Sequence, residues 1–509
     1  MESRFNFDAL FVLDLANNHQ GNPAHALEII RECGRVARAR QARTALKFQF
    51  RHLPSLIHPA HATGTDNKHI PRFMGTALAK EDYATLTAAV RGAGLITMAT
   101  PFDEASVDLI EELDIDVIKV ASCSAHDWPL LEQIARHNRP VIVSTGGLTL
   151  DGIDDIVSFL DHRRVHFALM HCVAIYPTPP EALQLNQIDA LRRRYPTVTI
   201  GFSTHEVPQA LAPVGIAVAK GAQILERHVG IPTKDAPLNL YSSTPAEIDA
   251  WMQAAQQAWL MCGAETRPPA PEVEITSLES LQRGVYARVA IKEGQRVHRD
   301  DVYFAMPLAQ GALPSGRWRD DLIATRPIDK DAPLSAGANV SLPPENPNQV
   351  LLDAIHAIKA MLNEAKIALP TDFKLEFSHH YGIPRFREVG AVLIDCINRD
   401  YCKKLIVQLP GQRHPNHYHK RKEEAFQVLS GVMEAELEGR RRTLYPGDIL
   451  VVPQGVWHSF WTETGLIFEE VSTTHHLNDS FYEDKAINVM TRDQRKTVVS
   501  QWGRYQLAS

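Results

Sequence analysis

Two lysines stand inside otherwise apolar runs of this chain, Lys47 in TALKFQ and Lys119 in VIKVAS. An ammonium group placed so costs several kcal/mol unless a carboxylate or an anionic ligand faces it. Internal carboxylates could serve each one; two such lysines together point to an anionic ligand. Further polar residues fall at the ends of similar runs: Asp14, Asn17, Asn18 and His19, then Gln49, Ser122, Ser144-Thr145-Gly146, Tyr176, Ser203, His205, and Glu226 with His228. His205 and His228 belong to successive runs at matching depth, which would let two imidazoles hold one divalent ion. Far along the chain, GQRHPNHYHKRKEEAFQVLSG (411–431) sets His417 and His419 two apart, on one face of a strand.

Such side chains need a scaffold, and up to about residue 262 short β-type runs alternate with segments of helical period. The runs are FVLDLAN (11–17), TALKFQ (44–49), ITMATP (96–101), VIKVAS (117–122), VIVSTG (141–146), FALMHCV (167–173), TIGFST (199–204) and QILERHV (223–229). Eight strands joined by helices over residues 1–265 predict an α/β fold, a TIM-type (β/α)8 barrel, whose chemistry gathers at the C-terminal strand ends. RPPAPEVEI (267–275) breaks the pattern and reads as a linker, assigned to 266–279. Short strands and turns over 280–341 predict a small β-rich module. A second linker with a helix of period 349–366 occupies 342–370, and alternating runs over 371–509 predict a β-sandwich or small barrel. No internal repeat is visible.

A length of 509 residues exceeds what one compact core supports, so several domains are expected. With 53 basic against 60 acidic residues, the net charge of −7 leaves no broad nucleic-acid footprint. The clusters Arg192–Arg194 and Arg440–Arg442 read as solvated faces. No apolar run is long enough to imply a membrane span, and the N-terminus lacks the pattern of a secretory signal, so a cytoplasmic location is expected. The six cysteines form no C-x-x-C pair and are expected as reduced, mostly buried thiols.

Taken in order, LDLANNHQGN, LKFQ, VIKVAS, VSTGG, HCVAIYPTP, GFSTHE and ILERHV resemble the sialic-acid synthase family over roughly residues 8–262, and 280–341 resembles that family's antifreeze-like (β-clip) domain. The resemblance implies a condensation of phosphoenolpyruvate with a sugar aldehyde to a 2-keto-3-deoxy sugar acid. It implies manganese on His205 and His228, and phosphoenolpyruvate contacts from Lys47, Gln49, Lys119, Ser122, Ser144, Thr145 and Ser203. Asp14, Lys47, Lys119 and Tyr176 would be the catalytic set, with Tyr176 toward the sugar. A domain-swapped homodimer is also implied. The chain departs from the family at several positions. Asp14 replaces a glutamate one methylene longer, Ser124 another glutamate, Ala174 an asparagine and Asn239 an acidic residue. Met306 stands where the antifreeze-like domain has an arginine for the N-acetyl group, a loss of about 1.5–3 kcal/mol in recognising such a sugar. An acceptor other than N-acetylmannosamine is therefore expected.

Gly411, His417, His419, Glu424 and Gly431, followed by Gly447, Pro453, Gly455 and His458, resemble the two motifs of the cupin family, an all-β jelly roll or double-stranded β-helix. The resemblance implies three imidazoles and one carboxylate around manganese, iron, nickel or zinc. Thr462 replaces the usual asparagine of the second motif without touching the ligand set. The neighbourhood is similar to cupin sugar isomerases, and an isomerase or epimerase here would supply the barrel with an aldose. Two other readings stand beside it: a degraded synthase acting as a sugar-binding or assembly protein, and a cupin that is the sole active or sensing module.

Overall fold

The computed structural model describes residues 4–62, 66–234, 237–342, 346–371, 373–476 and 478–499. The chain forms two compact units that divide between Pro269 and Ala270.

In the first unit eight parallel strands close into a barrel in sequence order. They are β1 (Leu10–Asp14), β2 (Thr44–Phe50), β3 (Ile96–Pro101), β4 (Val117–Val120), β5 (Val141–Ser144), β6 (Phe167–Cys172), β7 (Thr199–Ser203) and β8 (Ile224–His228). All eight expected strands are present. Side chains alternate across each strand. One phase, including Phe11, Leu13, Leu46, Phe48, Ile118, Val120, Phe202 and Leu225, packs in the large core with helix residues such as Ile29, Val90 and Trp251. The other phase begins with a separate apolar cluster, Leu10, Val12, Ala45, Met98, Val117, Ile142, Ala168, Met170 and Ile224. Continued toward the C-terminal ends, that same phase becomes polar: Asp14 follows Val12, Lys47 follows Ala45, Lys119 follows Val117, Ser144 follows Ile142 and Glu226 follows Ile224. An apolar plug thus supports a polar layer. Gly201 is required here, because a Cβ would lie 2.7 Å from both the Ile224 carbonyl oxygen and its Cβ.

The second unit opens with the helix Glu272–Ser280, every residue of which is exposed. The expected linker is therefore helical in its second half: Pro271 at the N-cap and Glu272 and Glu274 in the first turn suit a helix start, while no apolar face announces it. Next, Gly284–Ala287 pairs with Val302–Ala305 and Ile323–Ala324 with Val340–Ser341. Around these ladders Val285, Val297, Val302, Leu313, Leu322 and Leu334 form a separate core. The helix Pro347–Glu364 is more than a connection. Its apolar face, with Val350, Ile355, Ile358 and Leu362, packs against Leu375, Phe377, Val392, Ile394 and Val407 of a seven-stranded sheet. A five-stranded sheet completes this domain, and Phe426, Val428, Met433, Phe460 and Phe468 pack together from the two sheets.

Arg192–Arg194 and Arg440–Arg442 are exposed. Of the cysteines, Cys33, Cys172 and Cys402 are buried, whereas Cys123 and Cys262 are exposed and Cys396 is half-buried, so burial is less general than expected. Among the described residues no helix is long and apolar enough to cross a membrane.

Candidate functional site

Register brings the barrel's polar residues to one level, since Asp14 lies opposite Lys47 on one side and His228 on the other, and Ser203 opposite Glu226. Lys47 Nζ is 3.0 Å from Asp14 Oδ2 and 3.2 Å from Glu226 Oε1. Lys119 Nζ donates to Ser144 Oγ at 2.6 Å and lies 4.0 Å from the same Glu226 oxygen, to which Ser203 Oγ donates at 2.9 Å. All four charged groups are buried. Burial alone would raise the Asp14 carboxyl, but Lys47 and His228 outweigh it and bring it to about 2. Burial likewise opposes charge on Glu226, and Lys119 and Lys47 overcome it to hold the carboxyl below its ordinary value. Lys47 is driven above the ordinary lysine range because its two carboxylates outweigh desolvation, whereas for Lys119 desolvation wins and the ammonium is pulled down.

The remaining expected residues surround this layer unequally. Gln49 Nε2 donates to Asp14 Oδ2 at 3.1 Å, and its Oε1 accepts from Arg51 at 2.7 Å. Ser122 Oγ accepts the Gly146 N–H at 2.9 Å. Thr145 is turned elsewhere, its hydroxyl donating to the Met170 carbonyl at 3.0 Å. Tyr176 is half exposed over the His205 ring, centroids 4.3 Å apart. The His205 and His228 rings are 5.4 Å apart. His205 Nδ1 lies 3.0 Å from the Val173 carbonyl, which can only accept, so Nδ1 carries the proton and Nε2 is left with a lone pair. Among the described residues His228 Nδ1, which is buried, has no partner. Burial lowers both imidazoles, His205 to about 3, and keeps them neutral as ligation requires. These donors fit a divalent cation. Of the departing positions, Ser124 is buried, Ala174 exposed, and Asn239 Oδ1 caps the Tyr241 N–H at 3.2 Å. Met306 is 54% exposed.

The second cluster lies between the two sheets of the C-terminal domain. His417 and His419 come from Arg413–His419 and His458 from His458–Trp461, all in the five-stranded sheet, while Glu424 begins Glu424–Gly431 in the other. Their ligand atoms lie within 4.8 Å of one another, a spread that one ion can span. Each Nδ1 faces a backbone carbonyl: Pro415 for His417 at 3.0 Å, Asp479 for His419 at 2.8 Å and Val456 for His458 at 3.0 Å. All three therefore carry the proton on Nδ1 and offer Nε2 inward. His458 Nε2 and Glu424 Oε2 face each other at 3.1 Å, and with the His458 proton on Nδ1 both are buried acceptors that among the described residues share no donor, a pairing that a cation would relieve. Lys422 Nζ bridges Glu424 at 2.5 Å and Glu470 at 2.6 Å. Burial would raise the Glu424 carboxyl, but Lys422, His419 and His458 hold it well below its ordinary range.

Residues 36–267 match the profile of the NeuB family and residues 405–468 that of the cupin domain. A solved structure from Chromobacterium violaceum, described as a spore coat polysaccharide biosynthesis protein E, is 41% identical with a TM-score of 0.62, covering 66% of this chain and all of its own. The chain belongs to the NeuB family. Among the relatives, human N-acetylneuraminate-9-phosphate synthase is 27% identical over 288 residues, 56% of this chain and 79% of the human protein. The N,N'-diacetyllegionaminic acid synthase of Legionella pneumophila is 25% identical over 313 residues, 58% of this chain and 85% of that enzyme. As a NeuB-family protein of this kind, the chain is a carbon–carbon-bond-forming transferase of the phosphoenolpyruvate-dependent class.

Three features of this NeuB-family protein escape a reading of motifs. Glu226 is the hub that both lysines share. Arg51, stacked between Phe73 and Phe102 at 4.1 Å from each ring, orients Gln49. The Lys422–Glu470 pair flanks the cupin ligands. Glu226 already stands among the strand-end polar residues of the sequence, but its pairing with both lysines, like the other two features, depends on contacts between distant segments.

Proposed function

We propose that the barrel condenses phosphoenolpyruvate with the open-chain aldehyde of a sugar, forming a 2-keto-3-deoxy sugar acid and phosphate. The observation that carries this is the polar layer in which two buried lysines, Lys47 and Lys119, converge on Glu226 beside the hydroxyls of Ser144 and Ser203. Lys119, Ser144 and Ser203 hold the phosphoenolpyruvate anion, and Lys47 exchanges part of its pairing with Asp14 for the ligand. Asp14 and Gln49 fix the position of Lys47 and of water near carbon 2. Carbon 3 of the enol attacks the aldehyde carbon, whose oxygen takes up a proton; water adds at carbon 2 and phosphate leaves. His205 and His228 would hold a divalent cation, manganese in this reading, which supplies Lewis-acid polarisation of the aldehyde when bound. Tyr176, over His205, faces the sugar.

In the same reading residues 280–341 are an antifreeze-like domain, the protein is a domain-swapped homodimer, and Met306 relaxes selection for an N-acetyl group. The cupin cluster His417, His419, Glu424 and His458 takes a divalent transition metal and acts on a sugar, as an isomerase or epimerase feeding the barrel. The test is phosphate release from phosphoenolpyruvate with manganese and a panel of aldoses and ketoses. Release with an aldose, matched by formation of an α-keto acid and abolished by chelation, is the expected result. Release with a ketose adds the coupled isomerisation. No release with any sugar overturns the synthase reading and leaves a binding or assembly role.

A further inference from the structure

The cavity faced by the cupin ligands continues past them. Its lining includes His417, His419 and Glu424 and also Lys496, His475 and Tyr482. The same last three residues also line an adjoining cavity whose wall includes Arg492 and Arg495. The Tyr482 ring connects the two: it stacks on His417 with centroids 5.5 Å apart, and the Arg495 guanidinium carbon lies 5.4 Å from its centroid.

Charge at this far end is not balanced. Lys496 and Arg492 share a single carboxylate, Glu376. Among the described residues no carboxylate pairs with Arg495, and its buried Nε has no hydrogen-bond acceptor. A buried guanidinium N–H left unpaired is costly, and water could satisfy the N–H without answering the surplus of positive charge. A carboxylate or phosphoryl group would do both, since the guanidinium fork matches either one. The imidazole cluster lines one of these cavities and the guanidinium the other, with Tyr482, His475 and Lys496 common to both, so a single small ion does not meet both ends. A ligand several bonds long is needed, with oxygen at one end for a metal and negative charge at the other.

We propose that the cupin site takes an anionic sugar, its hydroxyl or carbonyl oxygen at the His417/His419/Glu424/His458 cluster and its carboxylate or phosphoryl group at Arg495 and Lys496. This rests on the reading of that cluster as a metal site. The condensation product proposed for the barrel, a sugar acid, falls within the class, as does any phosphorylated sugar.

The test is calorimetric titration of full-length, manganese-loaded protein with mannose, glucuronate, mannose 6-phosphate and inorganic phosphate. It compares the natural chain with Arg495→Gln and with the His417→Ala/His419→Ala double variant. Glucuronate or mannose 6-phosphate is expected to bind about tenfold or more tightly than mannose, and R495Q to erase the difference at unchanged metal content. Which anion wins distinguishes a carboxylate from a phosphoryl ligand. Equal binding of neutral and anionic sugars overturns the proposal, as does an undiminished preference in R495Q. A preference that survives in the double histidine variant assigns binding to the barrel and also overturns it. Inorganic phosphate binding as tightly as the sugar phosphate overturns the two-ended ligand. Metal content that is equal in the natural chain and the double variant, read by elemental analysis before any sugar is added, instead overturns the metal reading. Should R495Q fail to fold, Arg495→Lys keeps the charge without the fork and is expected to show a partial loss.

Discussion

Lys47 Nζ lies 3.2 Å from Glu226 Oε1, and the two residues come from strands that are not neighbours but flank β1. Between them Asp14 meets the same nitrogen, and beyond them Lys119 approaches the same carboxylate oxygen. Two cations and two carboxylates therefore alternate across the polar layer with no net charge. A multiply charged phosphate entering this layer must exchange protein carboxylates for itself, so ligand binding and folding draw on the same pairings.

That exchange gives the first prediction. Glu226→Gln keeps the shape of the side chain and removes the charge the two lysines share. Breaking a buried pair from one side costs about 3–5 kcal/mol, so the variant is expected to melt at a lower temperature. Phosphoenolpyruvate should then raise its melting temperature more than it raises that of the natural chain. Thermal melts with and without the ligand check this; equal ligand shifts would show that the lysines do not face it.

Lys119→Met should behave oppositely. Glu226 would still have Lys47 at 3.2 Å and the Ser203 hydroxyl at 2.9 Å, so no carboxylate is stranded. Stability is expected to change little, because the cost of burying the ammonium disappears with it. With a charge-assisted contact to the ligand gone, kcat/KM for phosphoenolpyruvate should fall by about a hundredfold. Phosphate-release kinetics beside a melting curve separate the two effects.

How much of this is written in the chain depends on the range of the interaction. The β-strands were legible because Leu10-Val12-Asp14 and its counterparts carry their own alternation, and the four cupin ligands because they fall in two motifs that resemble those of a known family. The partner of Lys47 was not, since Asp14 and Glu226 reach it only through strand register and barrel closure. Lys422 and Glu470 are 48 residues apart and meet only when the sheet forms. The helix Glu272–Ser280 hid behind prolines because an exposed helix has no apolar stripe to reveal it. For Pro347–Glu364 the period was visible, while the sheet that covers its apolar face was not.

The cupin cluster predicts a metal-linked stability. His458 Nε2 and Glu424 Oε2 face each other at 3.1 Å as two acceptors, so a cation that joins them stabilises only the folded domain. At a free metal concentration a thousandfold above Kd this amounts to about 4 kcal/mol. Chelation should therefore lower the melting temperature of the natural chain and leave His417→Ala/His419→Ala unmoved in the transition of its second unit. Calorimetric scans with and without chelator check it, and identical chelator shifts in both proteins would count against the cluster.

Acid stability should depend on a residue outside both clusters. Glu376, on the strand Lys374–Ser378, pairs with Arg492 and with Lys496 Nζ at 2.5 Å. Burial would raise its carboxyl, but Lys496 and Arg492 outweigh that effect and lower it from 4.5 to about 2. Desolvation is the larger influence on Lys496, whose ammonium is pulled below the ordinary lysine value in spite of Glu376. Because the folded carboxyl titrates below the unfolded one, its contribution is complete above about pH 4.5 and is lost as pH falls toward 2. The gap corresponds to a stability on the order of 3 kcal/mol at neutral pH. In Glu376→Gln that contribution is missing at every pH, so the difference between the natural chain and the variant should be large at pH 7 and shrink steadily between pH 5 and 2. Denaturant unfolding across that range, followed on the second unit, measures the difference directly; a pH-independent gap would mean that the pairing of Glu376 with Lys496 and Arg492 does not govern it.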